Sequence, residues 1–527
     1  MPDKMKISLI SMDEFSGSLG LRSISSYLKQ RGYDVKIIFL IPYKRFDCGQ
    51  SFSTRILEEL AKVAGDSDII GISSMTDKFK KTSQVIDYLK KLDKLVVWGG
   101  FHATSCPDEC IEYADAVCIG EGEEAFHELI EALEKKLPYF DIKNFWFKYN
   151  NQIIKNSVRP LIADLNSLPP ADFEADTHYV LDNNVITKAG KWYEKLDNVC
   201  MHTARGCPNA CSYCFNSFLR TLYHGKGSIV RKTSMEVVLR QLKSLKSKLP
   251  SLKFIWFTDD IMFIRTSQEL KLFAAEYKET VDLPFQCYVS PNTIDEKKLE
   301  LLIDAGLAKL EMGIQTGSEK VNRDLYNRNI SNAAVIKASQ IISRYKKSIP
   351  ELNYQVIFCN PYESGEDLTA TISLLLKLSA PFYLQTFILQ FFPASALYAR
   401  AKCDGLLDKE ETANYNNYSG DLKLNANEIY LNFLVSLLNG RIRSKIMGDV
   451  PRSSVPLLIN RKVVDYFNAH SQEITALIKY LGKKEMSFRL KLRRCLIVYR
   501  FILRCIFIRY FIFQIPESKI CSHAIPE

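Results

Sequence analysis

Histidine is scarce in this chain of 527 residues, with 7 in all, and tryptophan scarcer still, with 4. No uninterrupted apolar run approaches the roughly 20 residues that a bilayer-spanning helix needs. The opening MPDKMKISLISMDE lacks the long apolar core of a signal peptide, so a reducing, cytoplasmic setting is the expectation. Internal repeats and low-complexity tracts are absent as well, which sets solenoids and disordered scaffolds aside. A net charge of +10 is modest for this length and gathers towards the C-terminus; composition therefore predicts no nucleic-acid partner.

What is present is a double series of strands and helices. Apolar runs at Lys6–Ser11, Asp34–Leu40, Asp68–Ser73, Lys94–Trp98 and Asp115–Ile119 alternate with helix-like stretches at 18–31, 52–65, 77–91, 107–113 and 122–136. Such alternation makes βαβ units and a parallel sheet covered on both faces, here a flavodoxin-like domain over 1–140. A ligand of that fold sits at the carboxyl ends of the strands. Three of those ends are rich in small residues: Ser73-Ser74-Met75-Thr76, Gly99-Gly100-Phe101-His102-Ala103-Thr104 and Gly120-Glu121-Gly122-Glu123. Together they suit close backbone approach by a large planar or nucleotide-like ligand. GEGEEA follows the fifth strand and lacks the third glycine, so it is no dinucleotide fingerprint.

Residues 141–192, with the double proline of LNSLPPADF, read as a linker. Over 193–400 a second series places strands near 199–204, 253–258, 284–289, 308–313, 353–359 and 382–390, a partial six-stranded (β/α) TIM-like barrel whose active groups belong after the strands. Residues 401–527 read as mainly helical and close in a basic amphipathic tail. Arg489, Arg493, Arg500 and Arg504 share one face of that tail, leaving open a membrane-surface contact or packing over the barrel.

Most of the 14 cysteines sit singly in apolar runs. Cys207, Cys211 and Cys214 instead fall within eight residues, just after the first strand of the second series. Thiolates at this spacing suit either an iron–sulfur cluster or zinc, with Cys200 or His202 near enough to complete a closed zinc site. A four-iron cluster on three cysteines leaves one iron open to a cofactor.

The CxxxCxxC segment, with Tyr213 before its last cysteine, resembles the signature of the radical S-adenosylmethionine (SAM) superfamily. That resemblance implies a [4Fe-4S] cluster on Cys207, Cys211 and Cys214, whose open iron chelates SAM. FTDDIMF, FQCYVSPN and LEMGIQTGSEKVNRDLYNR resemble later elements of that superfamily. They imply SAM contacts from Asp259, Asp260, Gln286, Ser290, Glu311, Gln315, Thr316 and Ser318 alongside Tyr213. NPYESGED and QFFPASALYARA resemble two further loops, with Asn360 and Ala394-Ser395 departing from the usual glycine-containing pattern.

The first domain and the LNSLPPADF connector resemble those of the cobalamin-binding radical SAM enzymes. This implies corrinoid contacts from Ser74, Thr76, Gly99, Gly100, His102, Thr104, Gly120, Glu121 and Gly122. The DxHxxG motif of methionine-synthase-type domains is missing, since Met12-Asp13-Glu14-Phe15-Ser16 has no histidine; a protein imidazole on cobalt is therefore not expected. The resemblance implies methyl transfer to an unactivated carbon through a 5′-deoxyadenosyl radical, fed by a flavodoxin- or ferredoxin-type electron donor. The substrate is a small molecule or lipid. Non-methylating radical chemistry and a zinc-stabilised binding protein remain as alternatives.

Overall fold

The computed structural model describes residues 4–42, 51–379 and 382–407. The expectations for 408–527, the basic tail included, lie outside the described residues. Among the described residues no helix is long and apolar enough to cross a membrane.

The strands are β1 Lys6–Glu14, β2 Asp34–Ile41, β3 Ile69–Ser73, β4 Leu95–Gly99, β5 Ala116–Cys118, β6 Phe145–Tyr149, β7 Gln152–Lys155, β8 His178–Asp182 and β9 Val185–Lys188 in a first sheet. Its order is β7-β6-β5-β4-β3-β1-β2-β8-β9. Strands β5 to β2 run parallel in the doubly wound order expected of a flavodoxin-like domain. Alternation along β1 sends Ile7 and Leu9 to one face and Ile10 and Met12 to the other, as a sheet covered on both sides requires. Helices 19–30 and 123–134 supply one cover; helices 54–64, 79–89 and 107–113 supply the other.

The stretch read as a linker forms both edges of this sheet. β6–β7 and β8–β9 are antiparallel hairpins, one on β5 and one beside β2. Their turns are Asn150-Asn151 and Asn183-Asn184, all four left-handed with φ between 48° and 68°. Asparagine tolerates that region better than most residues, and paired left-handed turns match the twist of a hairpin. The irregular stretch that contains the double proline runs from 156 to 177, between the two hairpins.

The second sheet holds β10 Asn198–Met201, β13 Phe254–Phe257, β14 Phe285–Val289, β15 Leu307–Gln315, β16 Glu351–Phe358 and β17 Tyr383–Ile388 in that order, all parallel and open at both ends. This is the six-stranded partial barrel expected. A short ribbon of β11 Ala204–Arg205 and β12 Arg231–Lys232 leaves the end of β10. Helix starts carry their own signals: Thr266 and Glu269 form a reciprocal capping box before helix 267–280, as do Ser364 and Asp367 before helix 365–377.

Trp98 is the largest fully buried side chain. It stacks on Phe79 at 5.7 Å between ring centres and donates its indole N–H to Ser74 Oγ at 3.0 Å. Trp98→Ala should cost about 3–5 kcal/mol, read as a shift in the denaturant midpoint of the first transition.

Candidate active site

The carboxyl ends of both parallel sheets face each other across a cavity of about 660 Å³. Its first wall is the switch-point rim of the first sheet, with Ser73, Gly99, Gly100, Thr104, Gly120, Glu121 and Gly122. Its second wall is the cluster loop and the first two barrel strands, with Cys200, His202, Cys214, Phe215, Asn216 and Asp260. The LNSLPPADF stretch spans between them, contributing Leu165, Leu168, Pro169, Pro170 and Phe173.

Two glycines on the first wall are sterically required. Gly100 has φ +93°, and a Cβ there would lie 2.7 Å from Ser73 Oγ; Gly120 has φ +78°, with Tyr223 Oη only 1.7 Å from its virtual Cβ. Thr104 Oγ1 ties the two loops together, donating to Gly100 O at 2.8 Å and accepting from Gly120 N at 3.0 Å.

Four of the residues expected on this wall behave otherwise. Ser74 and Thr76 are buried beneath the rim and do not line the cavity. His102 is wholly buried, edge-on to Phe79 at 4.9 Å, on the far side of its short helix. Glu121 reaches the cavity, but its carboxylate is bound to Arg205 Nη1 at 2.8 Å and Arg231 Nη2 at 2.9 Å. Alternation within a six-residue helix decides this: Gly100, Phe101 and Thr104 face out while His102 and Ala103 face in.

The cluster loop is pinned from several directions. Gly206, with φ +88°, passes so close to Ile229 O that a Cβ would sit 2.0 Å away. Ser212 N donates to Tyr326 O at 3.0 Å, Leu397 N donates to Ser212 O at 2.9 Å, and Asn327 Nδ2 donates to Ala210 O at 2.9 Å. Arg220 Nη2 reaches back to Cys207 O at 2.9 Å and Pro208 O at 3.0 Å. Tyr213 packs edge-on against Tyr326 at 4.8 Å, and its hydroxyl is hydrogen-bonded to Cys211.

Burial pushes the Cys207 thiol up to about 12 and the Cys214 thiol to about 11, so a cationic centre is what would draw both thiolates out.

The expected SAM contacts divide into three groups. Asp260 faces the cavity and accepts from Asn216 Nδ2 at 2.7 Å; loss of bulk water, and then Asp259 beside it, raise its carboxyl. Asp259 points the other way, accepting Thr203 N at 2.6 Å, Ala204 N at 2.9 Å and the Thr203 hydroxyl. It is a buried clamp on the turn that precedes the cluster loop. Gln286, Ser290 and Glu311 lie deeper in the barrel. Gln286 Oε1 is buried without a hydrogen-bond partner, Ser290 precedes the turn at 291–293, and Glu311 is held by Lys309 at 3.0 Å and Gln355 at 2.6 Å.

The third group ends β15. Gln315 takes a left-handed φ of +73°, which aims the chain into Thr316 and Ser318. Thr316 Oγ1 donates to Glu363 Oε1 at 2.7 Å and meets Thr371 Oγ1 at 3.0 Å, while Ser318 Oγ donates to Asp367 at 2.6 Å. Both side chains are thus spent within a buried network that ties β15 to helix 365–377. The sequence reading missed Arg205, Arg231 and Glu123, which close the junction between the walls. Arg205, immediately before Gly206-Cys207, was the available signal.

Residues 5–130 match the sequence model of the B12 binding domain, and residues 201–375 that of the radical SAM superfamily. An uncharacterized methyltransferase of Pyrococcus horikoshii is 27% identical over 410 residues, covering 76% of this chain and 81% of its own. Bacteriochlorophyllide d C-8(2)-methyltransferase of Chlorobaculum tepidum is 24% identical over 360 residues, covering 67% and 72%. Among solved structures, the radical SAM methyltransferase TsrM from Kitasatospora setae superposes with a TM-score of 0.61 at 16% identity over 77% of each chain. The cobalamin-dependent SAM radical enzyme OxsB does so with 0.65 at 14% identity, covering 96% of this chain and 75% of its own.

Burial holds Glu363 up at about 8. A carboxyl raised in the folded state contributes stability at low pH that is lost as pH rises towards that value. Relative to wild type, Glu363→Gln should therefore gain roughly 2–5 kcal/mol between pH 4.5 and 8 and nothing further above. Parallel melting curves across that range would check it; equal slopes would count against the assignment.

Proposed function

We propose, for a chain that carries a B12 binding domain followed by a radical SAM domain, a cobalamin-dependent radical SAM methyltransferase acting on an unactivated carbon. One observation carries the reading: Cys214 and the small-residue loops of the first sheet line the same cavity. The residues fit the groups this implies. Three thiols on a pinned loop suit an iron–sulfur cluster, and the Gly99–Gly100 and Gly120–Gly122 turns, flanked by Leu19, Ile24 and Phe101, give a largely apolar wall for a corrin ring.

When bound, the cluster and SAM supply a 5′-deoxyadenosyl radical, and cobalamin supplies the methyl group. The chain's own part is to hold these partners in order and to keep water out. Cys207, Cys211 and Cys214 would hold the cluster, with Asp260 and Asn216 beside it on the cavity wall. Gly99, Gly100, Thr104, Gly120 and Gly122 would carry the corrinoid. Leu165, Leu168, Pro169, Pro170 and Phe173 add apolar surface along one side of the cavity, which limits the water a reactive intermediate would meet. The relatives named as methyltransferases support methyl transfer over other radical outcomes.

Anaerobic purification with iron, sulfide and hydroxocobalamin should yield about four irons and one cobalt per chain. The triple variant Cys207→Ala/Cys211→Ala/Cys214→Ala should lose the iron and keep the cobalt. SAM carrying a labelled methyl group should transfer label to substrate in the wild type alone. Iron without cobalt would replace methylation with a non-methylating radical reaction, and zinc alone at the three cysteines would overturn the reading.

A further inference from the structure

A second cluster of ligating atoms lies behind the cavity wall, away from Cys207–Cys214. The chain leaves β4 at Gly99, forms helix 100–105, breaks at Cys106 and restarts as helix 107–113 with Pro107 in its first turn. Helical hydrogen bonding carries across the break: Cys106 N donates to His102 O at 2.8 Å, and Cys110 N donates to Cys106 O at 3.2 Å. Residues at i, i+4 and i+7 therefore stay on one face. On that face an imidazole nitrogen of His102, the sulfur of Cys106 and a carboxylate oxygen of Glu109 lie within 4.8 Å of one another.

We propose that His102, Cys106 and Glu109 form a binding site for a zinc-class transition-metal ion, distinct from the cysteine loop. The donor set selects the ion. Mixed nitrogen, sulfur and oxygen donors suit zinc, whereas calcium and magnesium take oxygen ligands throughout. The imidazole is held in place edge-on to Phe79 at 4.9 Å and tilted against Trp98 at 5.8 Å, a pre-oriented ligand of the kind that metal sites use. Glu109 is 45% exposed and stands 3.8 Å from His102 Nε2, which gives an ion a path in and leaves the fourth position to water.

Such an ion would rivet the helix that presents Gly100, Phe101 and Thr104 to the cavity. Tyr398, on helix 396–403, faces Cys106 and Glu109. The site thus stands where the first domain meets the last described helix of the barrel.

The test uses the full chain with its cysteine loop reconstituted with iron, so that zinc cannot enter there. Zinc chloride is added against a chromophoric chelator, and zinc and iron per chain are measured. The expected result is one zinc per chain in the wild type, lost in Cys106→Ser and in His102→Gln with iron unchanged. Since His102→Gln alters a buried ring, Glu109→Gln at the half-exposed position serves as the second variant, with zinc affinity lowered at least ~10-fold. X-ray absorption at the zinc edge should show one sulfur among nitrogen and oxygen neighbours. No zinc at micromolar free concentration, equal zinc in Cys106→Ser and wild type, or a sulfur-only shell would overturn the proposal.

Discussion

The whole arrangement depends on one buried ion-pair cluster. Arg205 on β11 binds Glu121 at 2.8 Å and Glu123 at 2.6 Å, and Arg231 on β12 binds Glu121 at 2.9 Å. Two cations of the barrel's ribbon thus hold two anions of the loop after β5. Taking these charges from water is costly, and only close, multiply bonded geometry offsets the loss. The effect shows in the groups themselves: the two arginines hold Glu121 below the usual carboxylate range despite its burial. A mutual position that satisfies all four leaves little freedom for the rims to slide. Because Arg205 is followed by Gly206 and Cys207, the cluster loop inherits that position, and with it the shape of the cavity.

Strands β1 to β5 and the six strands of the second sheet, with the helices that cover them, were legible because each needs only a local pattern. Apolar runs of five to nine residues, separated by amphipathic stretches, can do little except build parallel sheets with helical covers. The cysteine spacing was equally local. What could not be read was direction. Asp259 and Asp260 are adjacent, yet one clamps backbone amides under the loop and the other faces the cavity. Their burial differs because β13 has ended and the chain is turning, and no periodicity governs a turn. His102 escaped for the same reason, since a six-residue helix is too short for a sequence pattern to fix its phase.

The segment 141–192 shows a different failure. Its double proline marks the irregular stretch 156–177, but not the hairpins on either side of it. Asn150-Asn151 and Asn183-Asn184 were the better guide, because side-by-side asparagines can both adopt left-handed backbone and close a hairpin. The hairpins do more than lengthen the sheet. By fixing both ends of the segment to one rigid body, they hold the stretch between them across the gap to the barrel, where Leu165 to Phe173 form the apolar side of the cavity.

That placement bears on how the chemistry is divided. Neither sheet alone makes the cavity: the first offers a rim of glycines, the second a pinned loop of cysteines. The cavity is lined by three parts, the two rims and the strap, and the rims are held by the ion-pair cluster at their junction. A change that weakened Arg205 or Glu121 would therefore act twice, misplacing Cys207–Cys214 relative to the first domain and admitting solvent. In the proposed radical reaction the misplacement matters most, since a carbon radical set wrongly takes hydrogen from whichever C–H bond lies nearest, whereas water, with its stronger O–H bond, is no hydrogen donor to it. The ion-pair cluster belongs to the cavity as well as to the junction, since Arg205, Arg231, Glu121 and Glu123 all line it.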